Sequence, residues 1–187
     1  MAAIRDDLFA RLSGTENPQG IIAIAEKVAP DREEFGKRVA GGNVLVMDRL
    51  QDPGNIGTVI RTVEAAGYRG VVTVTGGGDV YSPKAVRAAA GSLFRVPVIN
   101  MPTADEALGF LRELGKTIVA TSIEDAVLCF DADLRSNIAL VIGNEGGGVS
   151  KDFTDAADIR VKIPMKGEIE SLNAAVAAGI LMYRSHI

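Results

Sequence analysis

Tryptophan is absent, cysteine and histidine occur once each, and no apolar run approaches the eighteen or so residues that a membrane helix requires. With Cys129 alone, no internal disulfide can form, and its setting in Ala126-Val127-Leu128-Cys129-Phe130 points to packing. The one histidine, His186, is next to last, where fraying is usual, so histidine catalysis and a histidine metal site are not expected. Positive charge is also short. Lys and Arg number 20 against 24 Asp and Glu, a formal charge of −4 that argues against nucleic-acid binding through bulk charge and leaves only a local basic patch open. The start, Met1-Ala2-Ala3-Ile4-Arg5-Asp6-Asp7, is acidic and amphipathic rather than signal-like. The expectation is a soluble, cytoplasmic protein without a membrane role. At 187 residues and 47% hydrophobic content the chain can bury one good core, and disorder is a poor reading.

What is present is an alternation. Short β-branched runs, Val44 to Met47, Val71 to Val74, Val96 to Ile99, Thr117 to Ala120, Ile138 to Ile142 and Ile159 to Ile163, read mostly as strands buried on both faces. Helix candidates lie between or after them at Ile56 to Ala66, Ser82 to Ala90, Thr103 to Leu114, Lys151 to Ala156 and Leu172 to Tyr183. The pattern specifies an α/β fold with a mostly parallel sheet flanked by helices. Residues 1–40 differ, with helix-like pieces around the turn-forming cluster Ser13 to Gly20, and read as a leader or linker before a domain at 41–187.

Three strand-to-helix junctions carry polar groups, and in an open α/β sheet such junctions are where ligands bind. At the first, Ile56, Val59, Ile60 and Val63 form a buried stripe that Arg61 falls off. Because helical side chains lean toward the N-terminus, the Arg61 stem is expected to pass over Gly57 and reach Asn55; the plain alternative is a solvated surface arginine paired with Glu64 or with nothing. At the second, Gly143-Asn144-Glu145-Gly146-Gly147-Gly148 nearly spells a phosphate-binding loop, but Val149 stands where its lysine belongs and Glu145 adds negative charge. The dinucleotide fingerprint fails too, with Lys151 at the third glycine. Such a loop can bring backbone amides close to a ligand, while its carboxylate accepts hydrogen bonds. At the third, Ser171-Leu172-Asn173 precedes a helix rich in small residues that suits a tight intrachain or subunit contact. Ser171 is the expected N-cap, and Asn173 is a helix-start polar group or a ligand contact. Lys84, Arg87 and Arg95 are candidate nucleic-acid phosphate contacts or solvated surface charge.

Taken together, Asn55-x-Gly57-x-x-x-Arg61, Gly143-Asn144-Glu145-Gly146, and Ile163-Pro164-Met165 followed by Ser171-Leu172-Asn173 resemble, in order, the three signature motifs of the SpoU (TrmH) class of RNA ribose 2′-O-methyltransferases in the SPOUT superfamily. The resemblance implies a C-terminal deep trefoil knot, an S-adenosylmethionine site and a homodimer acting on RNA rather than DNA, with ribosomal ahead of transfer RNA. By motif, Arg61, Asn55, Glu145, Ser171 and Asn173 would form the catalytic region, and Gly143, Asn144, Ile163, Leu172 and Thr121 the cofactor pocket. Relatives of this type commonly carry an RNA-binding domain in front, of which residues 1–40 would be the remnant. The competing classes are a non-catalytic, cofactor-dependent RNA-binding module and a nucleotide or dinucleotide enzyme.

Overall fold

Short apolar strands joined by crossover helices can pair only in parallel, and the computed structural model shows that outcome throughout. It describes residues 3–14, 17–27, 29–169 and 171–185, so His186 and part of the Ser13 to Gly20 cluster lie outside the described residues. In chain order the elements are α1 (Asp6–Ser13), α2 (Arg32–Val39), β1 (Val44–Met47), α3 (Pro53–Ala65), β2 (Gly70–Val74), α4 (Pro83–Ala88), a 3-10 turn (Ser92–Phe94), β3 (Val98–Met101), α5 (Ala104–Glu113), β4 (Thr117–Thr121), β5 (Val127–Leu128), β6 (Ile138–Ile142), α6 (Lys151–Ala156), β7 (Ile159–Lys162) and α7 (Ala174–Arg184). The strands form one sheet in the order β3-β2-β1-β6-β4-β7-β5, every neighbouring pair parallel.

Side chains alternate across the sheet, so each strand feeds two cores. Leu45, Met47, Leu140 and Ile142 face α3, α4 and α7, where Ile56, Val59, Ile60, Val63, Ala85, Ala178 and Leu181 are buried. Val44, Val46, Ala139 and Val141 face the other side, with Phe35 of α2, Leu111 of α5 and Phe153 of α6. The small residues of α7 serve an intrachain contact: a Cβ on Gly179 would stand 3.8 Å from Thr62 of α3. Helix α1 buries none of its residues. The segment after it is tied to the body where Lys27 Nζ lies 4.2 Å from the Tyr81 ring centre.

Several boundaries correct the sequence reading. Helix α3 starts at Pro53, because the Asp52 carboxylate accepts Asn55 N at 2.8 Å and Pro53 occupies the first turn, where its missing N–H costs nothing. Helix α7 is capped by Asn173, whose Oδ1 accepts Ala175 N at 2.9 Å and Val176 N at 3.3 Å; Ser171 is exposed and is not the cap. The third strand slides to Val98, since Val96 N still bonds back to Ser92 O at 2.9 Å. Strand β5, unforeseen, pairs Val127 and Leu128 with Val161 and Lys162, and leaves Cys129 fully buried in the core as expected.

Candidate functional site

Strands β1 and β6 are neighbours although β2 to β5 intervene in sequence, so the loops after Met47 and Ile142 leave the same edge side by side. This is the switch point of the sheet. The ladder runs one step further, with Asp48 N donating to Ile142 O at 2.9 Å, and there the polar work begins. Asp48 is fully buried, which a carboxylate tolerates only when its lone pairs are used. Its Oδ2 accepts Ser150 N at 2.6 Å and its Oδ1 accepts Arg49 Nε at 3.0 Å. Arg49 adopts a left-handed φ of 56°. Its carbonyl accepts Asn144 Nδ2 at 2.9 Å, which fastens the start of the glycine loop to β1's exit.

That loop delivers Glu145 to the start of α3. Glu145 Oε2 accepts Gln51 N at 3.3 Å, and Oε1 accepts Asp52 N at 3.2 Å and Asn55 Nδ2 at 3.0 Å. Asn55 turns its other end to the third junction, where Asn173 Nδ2 donates to Asn55 Oδ1 at 2.9 Å. One amide thus joins all three junctions. Its orientation is fixed, since turning it over would set oxygen against Glu145 and nitrogen against nitrogen. Burial pushes the Glu145 carboxyl upward, but the hydrogen bonds from Asn55 and from the Gln51 and Asp52 amides outweigh it and hold the group below the usual carboxylate value. Asp52 is lowered as well, chiefly by the Asn55 N–H and then by Lys84, whose Nζ lies 3.2 Å from it.

Two glycines act differently from the sequence expectation. A Cβ on Gly57 would fall 2.3 Å from Ala85 O, so its bareness admits α4 rather than the stem of Arg61. A Cβ on Gly143 would fall 1.9 Å from Gly148 C; there the loop closes on itself through Asn144 N to Gly148 O at 3.0 Å and the reverse bond at 2.9 Å. Gly147 and Gly148 face open space, Gly148 with a left-handed φ of 66°.

Of the expected residues, Asn55, Asn144, Glu145 and Asn173 are brought together with Gly143. Arg61 sits exposed on α3 without hydrogen bond or ion pair among the described residues and does not join Asn55; Glu64 is held instead by Arg95. Thr121, at the end of β4, reaches Val141 O at 3.5 Å, on the strand that leads into the loop. Ile163 and Leu172 are half-buried, and Ser171 is exposed. The backbone at 163–169 and 171–172 makes no hydrogen bond among the described residues, and exposed Met165 and Ile169 lie along it. Sequence reasoning missed the Gln51 and Asp52 amides and the Asp48 anchor. The Asp52-Pro53 helix-start signal could have located the first two.

Residues 42–183 match the SpoU rRNA Methylase family. The chain is 37% identical over 187 residues to the 23S rRNA (guanosine(2553)-2′-O)-methyltransferase RlmP of Bacillus subtilis, covering 96% of this chain and 70% of that protein. It is 36% identical to the 23S rRNA (uridine(2479)-2′-O)-methyltransferase of Streptomyces viridochromogenes, covering 98% of this chain and 66% of that protein. The crystal structure of an AdoMet-bound rRNA methyltransferase from Sinorhizobium meliloti superposes with a TM-score of 0.89 at 31% identity, over 97% of this chain and 69% of that one. This chain therefore spans about two thirds of its relatives' length, and it belongs to the SpoU rRNA methylase family.

Proposed function

We propose that this chain transfers a methyl group from S-adenosylmethionine to a ribose 2′-hydroxyl of RNA, with ribosomal RNA as its substrate. The observation that carries the reading is the Glu145–Asn55–Asn173 chain of hydrogen bonds, which binds the three family motifs into one polar surface at the sheet's switch point. The names of the relatives support the ribosomal substrate.

The residues present fit the methyl donor. The backbone at 163–169 and 171–172, whose peptide groups are free of hydrogen bonds among the described residues and beside which exposed Met165 and Ile169 lie, suits a ligand that combines an adenine with a polar tail. Gly143, Asn144, Thr121, Ile163 and Leu172 are the residues that would hold it. When bound, S-adenosylmethionine supplies an electrophilic methyl on a sulfonium, so the protein's task is to bring the ribose oxygen into line.

Asn55 presents a fixed amide beside that position, braced from both sides. Asn173 and Ser171 offer hydrogen-bonding groups to the ribose. Glu145 is a weak base, since the donors that lower its carboxyl stabilise the ionised form; its role is to orient Asn55, and the hydroxyl proton leaves to water. Arg61 stays protonated and cannot accept a proton. It binds a phosphate neighbouring the target ribose and stabilises the charge that develops on the oxygen. The C-terminal segment is threaded as a deep trefoil knot, and two copies associate through α7, where Val176 and Tyr183 are each 51% exposed. The protein works in the cytoplasm.

The test is radiolabelled methyl transfer to ribosomal RNA with ribose-methylation mapping, alongside calorimetry with S-adenosylmethionine, ATP and NAD. The expected result is S-adenosylmethionine binding and label on a 2′-oxygen. Cofactor binding without transfer would assign a non-catalytic RNA-binding module, and ATP or NAD binding in its place would overturn the reading. Arg61→Lys keeps the charge but loses the planar fork; full activity in that variant would remove the geometric role from Arg61.

A further inference from the structure

The edge of the sheet opposite the polar network carries a cavity of about 370 Å³, lined by Arg38, Arg69 and Arg95 with Glu64, Tyr68 and Pro97. Each arginine comes from the start of a strand or the end of a helix: Arg38 from the last turn of α2, Arg69 just before β2, and Arg95 ahead of β3. None of the motifs described above reaches this place.

The three guanidinium groups are held in position. Arg69 Nη1 donates to Ala40 O at 2.6 Å, and its stem lies across Gly42, where a Cβ would fall 2.3 Å from Arg69 Cδ. Arg38 Nη2 donates to Arg95 O at 3.2 Å. Arg95 grips Glu64 through two nitrogens, one of them at 2.9 Å. A guanidinium has five N–H donors, so each keeps spare ones after these contacts. Charge is unbalanced as well. Glu64 neutralises Arg95, Glu34 approaches Arg38 only to 3.9 Å, and Arg69 has no carboxylate partner among the described residues. Behind the wall a fourth cation, Lys116, is buried against neutral acceptors alone: Val39 O at 2.9 Å, Gly42 O at 2.6 Å and Asn137 Oδ1 at 2.9 Å. Burial, and then the nearness of Arg69, lower its pKa. In a chain with net charge −4, four cations against two carboxylates is a local reversal.

We infer that this cavity is a binding site for two neighbouring backbone phosphates of the RNA substrate, one at Arg38 and one at Arg69, remote from the ribose that is methylated. The inference rests on the reading of the chain as an RNA methyltransferase and adds where the RNA is gripped. Fixed arginine forks match the oxygens of a phosphodiester better than a mobile lysine does. Continuity argues for RNA over a small anion. Asn55 and Glu64 stand at opposite ends of α3, nine residues or about two and a half turns apart, on opposite flanks of the helix and about 13 Å apart along its axis. The exposed Arg61, which has no partner among the described residues, stands on the outer face between them. RNA crossing that outer face obliquely would meet the site, then Arg61, then the cavity.

The test compares wild-type protein with Arg38→Gln, Arg69→Gln and the double variant, which remove the charge but keep a polar side chain and spare the Arg95–Glu64 pair. Filter binding to an unmodified 23S rRNA transcript is measured from about 50 to 200 mM salt, with methyl transfer at saturating RNA and thermal melting of each protein. Losing two phosphate contacts should flatten the slope of log affinity against log salt by about 1.4–1.8. The KM for RNA should rise at least tenfold while kcat and S-adenosylmethionine affinity hold. Should the double variant fail to fold, each single variant should still flatten the slope by about 0.7–0.9. An unchanged slope in folded variants overturns the proposal. Millimolar binding of inorganic phosphate that the variants abolish, with an unchanged RNA slope, would assign the cavity to a small anion and also overturn it. Wild-type protein that transfers no methyl group would sink the methyltransferase reading separately, because the salt slope is measured without catalysis.

Discussion

Asn173 does two jobs with the two ends of one amide, and Asn173→Asp separates them. The oxygen caps α7 by accepting Ala175 N and Val176 N, and the nitrogen donates to Asn55 Oδ1 at 2.9 Å. Aspartate caps as well as asparagine, and its charge at a helix start adds about 0.3–1 kcal/mol, so the variant should melt at or slightly above the wild-type temperature. It has no donor for Asn55, however, and sets oxygen against oxygen. Asn55 cannot turn over to compensate without giving up its 3.0 Å bond to Glu145. An exposed side-chain hydrogen bond contributes about 0.5–1.5 kcal/mol. If that is felt wholly in the transition state, it corresponds to about 2- to 13-fold in kcat at 1.36 kcal/mol per decade. The new charge facing Glu145 moves the expected loss to tenfold or more. Asn173→Ala is the control: it loses the cap as well, about 1 kcal/mol, and should melt about 2–4 °C lower. Melting curves and single-turnover methyl transfer on both variants decide the matter. An Asn173→Asp protein with wild-type kcat would show that the link to Asn55 has no catalytic consequence.

Other substitutions probe the loops and the far edge. Gly143→Ala should cost about 1–3 kcal/mol because its Cβ meets the Gly148 backbone, whereas Gly147→Ala, with nothing within 4 Å, should be neutral in urea denaturation. Gly57→Ala should cost a similar 1–3 kcal/mol by forcing α3 from α4, whose Ala85 O would lie 2.3 Å from the new carbon, and hydrogen exchange should show both helices loosened. Arg95 holds the Glu64 carboxyl down to about 2 from an ordinary 4.5. A lowered folded value means the pair's stabilisation is complete above pH 4.5 and lost as pH falls toward about 2. Melting curves of wild type and Glu64→Gln should therefore converge on acidification and separate above pH 4.5, less so in high salt.

The strands were the most legible part, because a run such as Ile138 to Ile142 is apolar at every position and every one of those positions is buried. Local chemistry also placed α6 at Lys151 to Ala156. What could not be read was any choice decided by a distant residue. Ser171 and Asn173 are both good cap types, and Asn173 is further fixed by a bond to Asn55, which lies 118 positions away. Gly57 looked like a passage for Arg61 because nothing in the sequence places Ala85 against it. Asp48 reads as a loop carboxylate, a type rarely buried, until Ser150 N and Arg49 Nε supply its partners.

The same distinction explains why the site could be anticipated without its geometry. A polar residue after an apolar strand must emerge at the strand's carboxyl edge, so parallel strands already put Asn55, Glu145 and the pair Ser171 and Asn173 on one side of the sheet. Proximity among them needs one further fact, the insertion of β6 directly beside β1, and no local pattern encodes strand order. Given that neighbourhood, the remaining contacts follow from satisfying polar groups. A carboxylate delivered beside the start of α3 finds the Gln51 and Asp52 amides unpaired and takes them. Its third donor, Asn55, is left with a carbonyl aimed at the start of α7, where a capping asparagine has its amide nitrogen to spare. Topology thus supplies the meeting place, and the accounting of donors and acceptors selects the residues that meet there.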